Sequence, residues 1–244
     1  MKYMKVNGMH PLKKLLFNKS DVLDLISKSI NYSEPLLLTY LNQHCFNVWY
    51  SDANYRNLLD RHFKYYLDGI GVRFALFLIN KIKAKRFNAS EINEEVFNRF
   101  TELRTPIIII GGRFESLIPK SQLNVIQYFN GYEDVVDWNK LSKEIIQSDT
   151  KTIIIGIGAP TQEVLAYKIF SIVQNLQIIC VGNFLEYFFR TKKRAPKIFH
   201  NSGFEWLYRL IHEPKRLWSR YIIGIPVFSY RLLKIKFTYK QRGK

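Results

Sequence analysis

The chain has 244 residues, of which 47% are hydrophobic, and this composition excludes a disordered chain because it supports a packed core. Its longest apolar runs fall well short of the ~20 residues that span a bilayer, so the sequence predicts a protein that can lie on a membrane without crossing it. Two distant cysteines exclude a disulfide framework and favour a reducing, cytoplasmic compartment.

The positive charge is concentrated in the C-terminal part of the chain. The formal net charge is +17, and residues 190–244 contribute +13 through 15 Lys and Arg and two acids. Such a segment favours an anionic partner, which could be phosphate-rich lipid, nucleic acid or a phosphorylated substrate. We therefore predict a core over residues 1–189 and a basic, aromatic, helical C-terminal appendage over residues 190–244.

Strand-like apolar runs alternate with helical patterns along the core. The run from Glu34 to Asn42 is typical of a buried strand, and a mixed helical pattern follows from Asp52 to Leu67. The clearest strand runs from Thr105 to Gly112, where four isoleucines predict burial on both faces of a sheet. A helix is predicted from Lys120 to Phe129.

The same alternation continues in the second half of the core. Lys151 to Glu163 predicts a strand, a Gly-rich turn and a helix that extends to about Gln174, and Leu176 to Asn183 predicts a further strand with Cys180 in the core. The alternation predicts βαβ units, an α/β fold and a mostly parallel sheet. Ligands of such sheets bind beyond the carboxyl ends of the strands. Those ends are Asn42, Gly111, Gly112, Gly156 to Gln162, Gly182 and Asn183.

The turn "GIGAPTQE" from Gly156 to Glu163 is a candidate ligand loop, because glycines and free N–H groups at a helix start favour phosphate. The turn resembles the GxGxxG motif that binds dinucleotides, but Thr161 stands at the position of the third glycine. This difference argues against a nicotinamide oxidoreductase. The alternative is a tight turn without a ligand. Gln162 could reach a bound ligand from the first helical turn, or it could be a solvated helix residue.

Asp68 in "YYLDGIGVRF" is the candidate general base, because a carboxylate at the lip of a cleft can deprotonate an attacking hydroxyl. The alternative is an Asp-Gly turn. The five histidines lack metal-ligand spacing, and the chain has no Asp-x-Asp pair, so we expect no metal. A nucleotide diphosphate would then be neutralised by arginines.

The appendage offers both arginines and membrane anchors. Arg209, Arg216 and Arg220 would share one face if the helix continued through Pro214. An apolar stripe on the other side could pack on the core or lie in a membrane interface. The residues predicted to contact the membrane are Trp206, Lys215, Trp218 and Tyr221.

The segments "LDGIGV", "GIGAPTQE", "KRAPKIF" and "GFEWLYRLIHEPKRLWSRY" together resemble the WecG/TagA/CpsF glycosyltransferases, from about Asn31 to Phe228. The resemblance implies a Rossmann-like core with a mobile helical appendage. It also implies metal-independent, inverting transfer from a UDP-sugar to a polyprenyl-diphosphate-linked sugar at the inner face of the membrane, without a cofactor. Family members act in wall teichoic acid, enterobacterial common antigen, capsule or exopolysaccharide synthesis, and a homo-oligomer is compatible with this prediction.

The resemblance also implies roles for individual residues. Asp68 matches the proposed general base, and Asn42, Arg86 and Gln162 match active-site positions. The Thr of the family's Thr-x-Asn motif is Tyr40 here, a departure that concerns sugar selectivity more than reaction class. The residues predicted to bind substrate are Thr39, Tyr40, Gly111, Gly112, Gly131, Tyr132, Gly156, Gly158, Ala159, Pro160, Glu186, Arg194, Arg209, Arg216 and Arg220.

The main rival is a non-enzymatic basic protein that binds nucleic acid or a membrane surface. It explains the charge of the appendage but neither the Gly-rich turn nor the separate α/β core. The glycosyltransferase hypothesis expects no nucleic-acid partner.

Overall fold

The structure is a computed structural model, and it describes residues 10–189, 191 and 205–242. A seven-stranded, all-parallel sheet lies at its centre, with the strand order β1-β3-β2-β7-β6-β4-β5. The strands are β1 Leu15–Leu16, β2 Leu36–Leu41, β3 Lys64–Leu67, β4 Ile107–Gly111, β5 Val125–Asn130, β6 Thr152–Ile155 and β7 Gln177–Cys180. The predicted α/β fold is confirmed.

Helices flank the sheet and connect its strands. Short 3-10 helices cover Pro11–Lys13, Ile118–Lys120 and Asp134–Val136, and a π-helical turn covers Ser219–Ile223. The α-helices are α1 Lys19–Tyr32, α2 Gln43–Ser51, α3 Ala53–His62, α4 Gly69–Asn80, α5 Ala89–Glu102, α6 Trp138–Gln147, α7 Thr161–Phe170, α8 Phe184–Phe188, α9 Glu205–His212, α10 Pro214–Trp218 and α11 Gly224–Arg242.

The central strands are buried on both faces, as the isoleucine runs predict. Ile107 to Ile110 in β4 and Ile153 to Ile155 in β6 have no exposed surface. Helices cover both faces of an all-parallel sheet, so its inner strands read as continuous apolar runs. Cys180 is fully buried in β7 and its thiol is free, which confirms its predicted place in a core strand.

Two segments differ from the sequence prediction. The segment Lys120–Phe129 is not a helix; it contains the edge strand β5, in which Ile126 is 52% exposed. An edge strand is partly exposed, so the continuous apolar run that marks a strand buried on both faces is lost, and pairing with β4 decides its conformation. The segment Asp52–Leu67 contains α3 and then β3, and α7 ends at Phe170 rather than near Gln174.

The C-terminal helix α11 packs against α2 and α4. Phe228, Leu232 and Ile235 of α11 are buried within the main core. The ring of Phe228 meets that of Phe46 edge to face, with centroids 5.0 Å apart. Asn47 donates to the carbonyl of Gly224 at 2.8 Å, so both apolar and polar contacts fix the start of α11 on α2. Among the described helices, none is long and apolar enough to span a membrane.

Candidate active site

A cleft of about 190 Å³ opens beyond the carboxyl ends of three strands. Asn42 follows β2, Asp68 follows β3 and Val181 follows β7, and all three line the cleft. This is the edge at which open parallel sheets bind their ligands. Arg209 and Arg220 of the C-terminal segment line the opposite side, so the cleft lies between the core and the segment after residue 205.

Asn42 and Asp68 form a pair whose orientation is fixed by the helices that follow them. The side-chain oxygen of Asn42 caps α2 by accepting from the N–H groups of His44 and Cys45, each at 3.0 Å. Because the oxygen is used in the cap, the amide nitrogen faces Asp68, and it lies 3.5 Å from Oδ2. The other carboxylate oxygen, Oδ1, accepts from the N–H of Ala89 at 3.0 Å. The carboxylate of Asp68 is therefore held toward the cleft and does not cap its own helix α4.

The cleft is strongly cationic. Among the described lining residues, Asp68 carries the one carboxylate, and four arginines surround it. The guanidinium of Arg209 lies 5.0 Å from the centre of the Tyr187 ring. Guanidinium groups pair well with phosphate, so this set suits a diphosphate or a leaving group that gains negative charge. The four arginines are Arg73, Arg86, Arg209 and Arg220.

Two further polar side chains in the cleft are neutral. Burial and then the charge of Arg220 lower the pKa of His44 to about 4, although a hydrogen bond to the backbone of Ala159 opposes this shift. Burial raises the pKa of the Tyr40 hydroxyl well above its usual value. At neutral pH both residues can therefore form hydrogen bonds with a substrate without adding charge to the cleft.

A buried hydrogen-bond network lies beneath the cleft. Thr39 donates to Glu163 Oε1 at 2.6 Å, and Gln162 Nε2 donates to the same oxygen at 2.8 Å. Gln162 Oε1 accepts from the N–H of Gly182 at 3.0 Å. Thr39, Gln162 and Glu163 have no exposed surface, so the prediction that Gln162 reaches a ligand from the first turn of α7 is not met. In this structure Gln162 fixes the turn after β7, because that helical turn faces the interior.

Gly182 in that turn has two physical reasons to be glycine. Its φ of +57° lies in the left-handed region, and an added Cβ would stand 2.2 Å from the hydroxyl of Tyr40. Tyr40 lines the cleft, so the network of Glu163 and Gln162 supports one wall of the cleft from below. Gln162 and Glu163 thus act as positioning residues in this arrangement.

Four glycines predicted to approach a nucleotide are enclosed by packed side chains instead. At Gly156 an added Cβ would lie 2.5 Å from Leu185 Cδ1, and at Gly131 it would lie 2.3 Å from Ile157 Cγ2. At Gly111 the added Cβ would lie 2.8 Å from Leu185 Cδ1, and at the half-buried Gly112 it would lie 3.1 Å from the ring of Phe114. These glycines permit close packing at the ends of β4, β5 and β6, and they do not line the cleft.

Several other predicted substrate residues are also not among the described residues that line the cleft. Tyr132 is 63% exposed, and Gly158 has a positive φ of +88° with open space around it. The remaining members of this group are Thr39, Ala159, Pro160 and Glu186. Arg194 lies outside the described residues, and so does the side chain of Arg216.

The predicted membrane residues divide into two groups. The rings of Trp206 and Tyr221 lie 5.7 Å apart and line the cleft, so they do not face outward as an interfacial helix would require. Trp218 is 57% exposed and Lys215 is also exposed. This difference arises because α9 ends at His212 and a second helix starts at Pro214, which changes the face that each segment presents.

A family model described as "Glycosyl transferase WecG/TagA/CpsF family" matches residues 11–242. The chain belongs to this family. The matched region contains every described residue of the cleft, including Asp68 of the core and Arg220 of the C-terminal segment. The chain is therefore a glycosyltransferase, and the WecG/TagA/CpsF family indicates a role in cell-surface polysaccharide synthesis.

Sequence reasoning missed several residues of this WecG/TagA/CpsF cleft, and Arg73 and His44 are two of them. Arg73 lies on α4, five residues after Asp68, and a helix starting at Asp68 would have placed it about one turn along from the carboxylate. His44 follows Asn42 by two residues, and without a metal or nucleophile pattern it gave no signal. Among the described residues, no cluster of three His, Cys, Asp or Glu side chains could hold a metal ion.

Proposed function

We propose that the cleft catalyses inverting, metal-independent transfer of a sugar from a UDP-sugar to a sugar carried on polyprenyl diphosphate. The observation that carries this proposal is that the carboxylate of Asp68 shares the described lining of the cleft with four arginines. A single base facing a set of guanidinium groups suits a reaction in which a hydroxyl attacks while a diphosphate departs.

In the proposed reaction, the acceptor hydroxyl transfers its proton to Asp68 and its oxygen forms a bond to the anomeric carbon of the donor. The bond between that carbon and the UDP oxygen breaks at the same time, and UDP leaves with the electron pair. Attack from the face opposite to UDP inverts the anomeric centre.

The departing UDP gains negative charge, and the arginines are positioned to stabilise it. Arg86 precedes α5 on the core side, whereas Arg209 and Arg220 approach from the C-terminal segment. Removing one preorganised partner of this kind commonly lowers turnover ~10²–10³-fold. The neutral state of His44 leaves its ring available to hydrogen-bond the donor sugar or the nucleotide.

A lipid-linked acceptor requires the enzyme to work at an anionic membrane surface on the cytoplasmic side. The exposed face of the C-terminal segment supports this, because Trp218, Ile222 and Ile223 are 57%, 43% and 55% exposed. The charge of +13 over residues 190–244 supports it as well. Each basic residue near an anionic leaflet contributes ~1 kcal/mol of attraction.

The proposal is tested by offering a panel of UDP-sugars with a lipid-diphosphate-linked acceptor analogue and measuring UDP release. With the active donor, Asp68→Asn should abolish transfer because the amide cannot take up a proton, whereas UDP binding should persist. The matched control is Asp134→Asn, which changes a carboxylate outside the described lining of the cleft. A transfer rate near that of wild type for Asp68→Asn would remove Asp68 as the base.

A further inference from the structure

An apolar groove of about 470 Å³ runs along helix α4 beside the cleft. One wall is the face of α4, and the other is the chain segment that returns from the end of α4 toward Arg86. The residues that line the groove are Ile70, Arg73, Phe74, Phe77, Ile82, Lys83 and Ala84.

The face of α4 that lines the groove exposes large apolar side chains. Ile70, Phe74 and Phe77 recur at helical spacing and are 50%, 57% and 42% exposed. Val72 and Leu76 on the other face have no exposed surface and pack into the core. Exposed apolar side chains that form one contiguous face mark a binding surface more often than isolated ones do.

The second wall of the groove, formed by the segment after α4, alternates cationic and apolar residues. Ile82 and Ala84 are half-buried beside α4, whereas Lys81, Lys83 and Lys85 are exposed. This pattern surrounds an apolar groove with cations, which favours a ligand that has an apolar body and a nearby negative charge.

The groove is continuous with the cleft, because Ile70 and Arg73 line both. Along α4 the order is Phe77 and Phe74, then Arg73, then the carboxylate of Asp68. With a rise of about 1.5 Å per residue, Arg73 lies roughly 8 Å along the helix axis from Asp68. An isoprenoid-linked sugar has the same order of parts: an apolar chain, a diphosphate, and a sugar that carries the reacting hydroxyl.

We propose that this groove binds the first isoprene units of the acceptor lipid and that Arg73 binds the diphosphate of that lipid. The inference rests on the proposed function and deepens it, because it assigns the acceptor its own site. The two diphosphates of the reaction then use different arginines. Arg73 holds the acceptor, and Arg86, Arg209 and Arg220 hold the nucleotide.

The test is a direct binding measurement that does not depend on catalysis. Isothermal titration of the full chain, with UDP present to occupy the nucleotide's site, compares farnesyl diphosphate with inorganic diphosphate. The wild type should bind farnesyl diphosphate at least about tenfold more tightly, because the groove removes apolar surface from water. Phe74→Gln should weaken farnesyl diphosphate about tenfold without a matching loss for inorganic diphosphate. Arg73→Gln should weaken both ligands.

Ile146→Gln is the matched control, because Ile146 is 58% exposed on α6 and lies outside both the cleft and the groove. It should leave both affinities at the wild-type values.

Equal binding of the two ligands by the wild type would overturn the proposal, and so would equal effects of Phe74→Gln and Ile146→Gln. If Phe74→Gln instead reduced binding to phosphatidylglycerol vesicles that lack prenyl lipid, with farnesyl diphosphate affinity intact, the face would be a membrane contact. If the groove bound farnesyl diphosphate as expected but the protein transferred sugar to no acceptor, the proposed function would be wrong and the binding site would still stand.

Discussion

Replacing Glu163 by Gln tests whether the network beneath the cleft contains a protonated carboxyl. The Glu163 side chain is fully buried, and Oε1 accepts hydrogen bonds from Thr39 and Gln162. Within the described part of the chain, no hydrogen bond of good geometry reaches Oε2, although the buried Tyr55 hydroxyl lies close enough to interact with the carboxyl. Burial raises the pKa of Glu163, and the contacts with Thr39, Gln162 and Tyr55 oppose that shift without reversing it.

The sign of the pH effect follows from this raised pKa. Above the unfolded pKa of ~4.3, the unfolded chain loses the proton while the folded chain keeps it. The stability of the wild type therefore falls with rising pH, by up to about 1.4 kcal/mol per pH unit, until the pKa of the folded state is passed. Gln cannot titrate, and its oxygen can accept the same two hydrogen bonds. Glu163→Gln should match the wild type near pH 4 and become progressively more stable than it as the pH rises.

The assay is urea unfolding of the full chain and the variant at several pH values between 4 and 8. The quantity compared at each pH is the difference in unfolding free energy between Glu163→Gln and the wild type. The histidines and other titrating groups are common to both proteins, so their effects cancel. Glu133→Gln is the control, because Glu133 is a surface residue paired with Arg113. The difference in unfolding free energy between Glu133→Gln and the wild type should stay small between pH 4 and 8. A Glu163→Gln difference that does not change with pH, or a variant that is less stable at neutral pH, would refute a protonated Glu163.

Three other substitutions test the cleft and its surroundings. Gly182→Ala places a methyl group against Tyr40 at a positive φ, so thermal unfolding should show a loss of about 1–3 kcal/mol, together with slower transfer. Phe228→Ala should cost about 3–5 kcal/mol in chemical denaturation, because the ring is buried in the main core. Arg220→Ala should lower turnover ~10²–10³-fold with an unchanged melting temperature. It should also raise the pKa of His44 in an NMR titration, because the charge of Arg220 lowers it.

The sequence predicts the fold class because the central strands are continuous apolar runs. The isoleucines of β4 and β6 are buried on both faces, so their pattern requires no tertiary information. The strands β1, β3 and β5 were missed for a physical reason. β1 has only two residues, and β3 and β5 are of mixed composition, so their conformation depends on pairing with a neighbouring strand.

The site could be predicted only in part, because the sequence gives the chemical type of each side chain but not the direction in which it points. Asn42 follows a predicted strand, so its place at the carboxyl edge of the sheet could be expected. Asp68 follows β3, which was not predicted, so its place at the same edge could not be read from the strand pattern. Gln162 also follows that edge, yet the first turn of α7 faces the interior, and this depends on packing that the sequence does not show. Arg73 was missed because the helix that begins after Asp68 was not itself predicted.

The C-terminal helix α11 packs on the two helices whose first turns carry the candidate site. Asn42 caps α2 and Asp68 precedes α4, and α11 contacts both helices. Arg220 lies four residues before Gly224, whose carbonyl accepts from Asn47 of α2. The contacts of α11 with the core therefore help to set the position of Arg220 relative to Asp68.

This arrangement limits how the arginines of the C-terminal segment can approach a substrate. With α11 held by the burial of Phe228 and Leu232, we expect a backbone rearrangement that moves Arg209 to occur where the helical path is already interrupted. One such place is Glu213, between α9 and α10, and the other is the π-helical turn Ser219–Ile223. π-Helical turns are found at functional sites because they trade regular hydrogen bonding for a changed side-chain direction. In this chain that change directs Arg220 and Tyr221 into the cleft while Trp218 stays exposed.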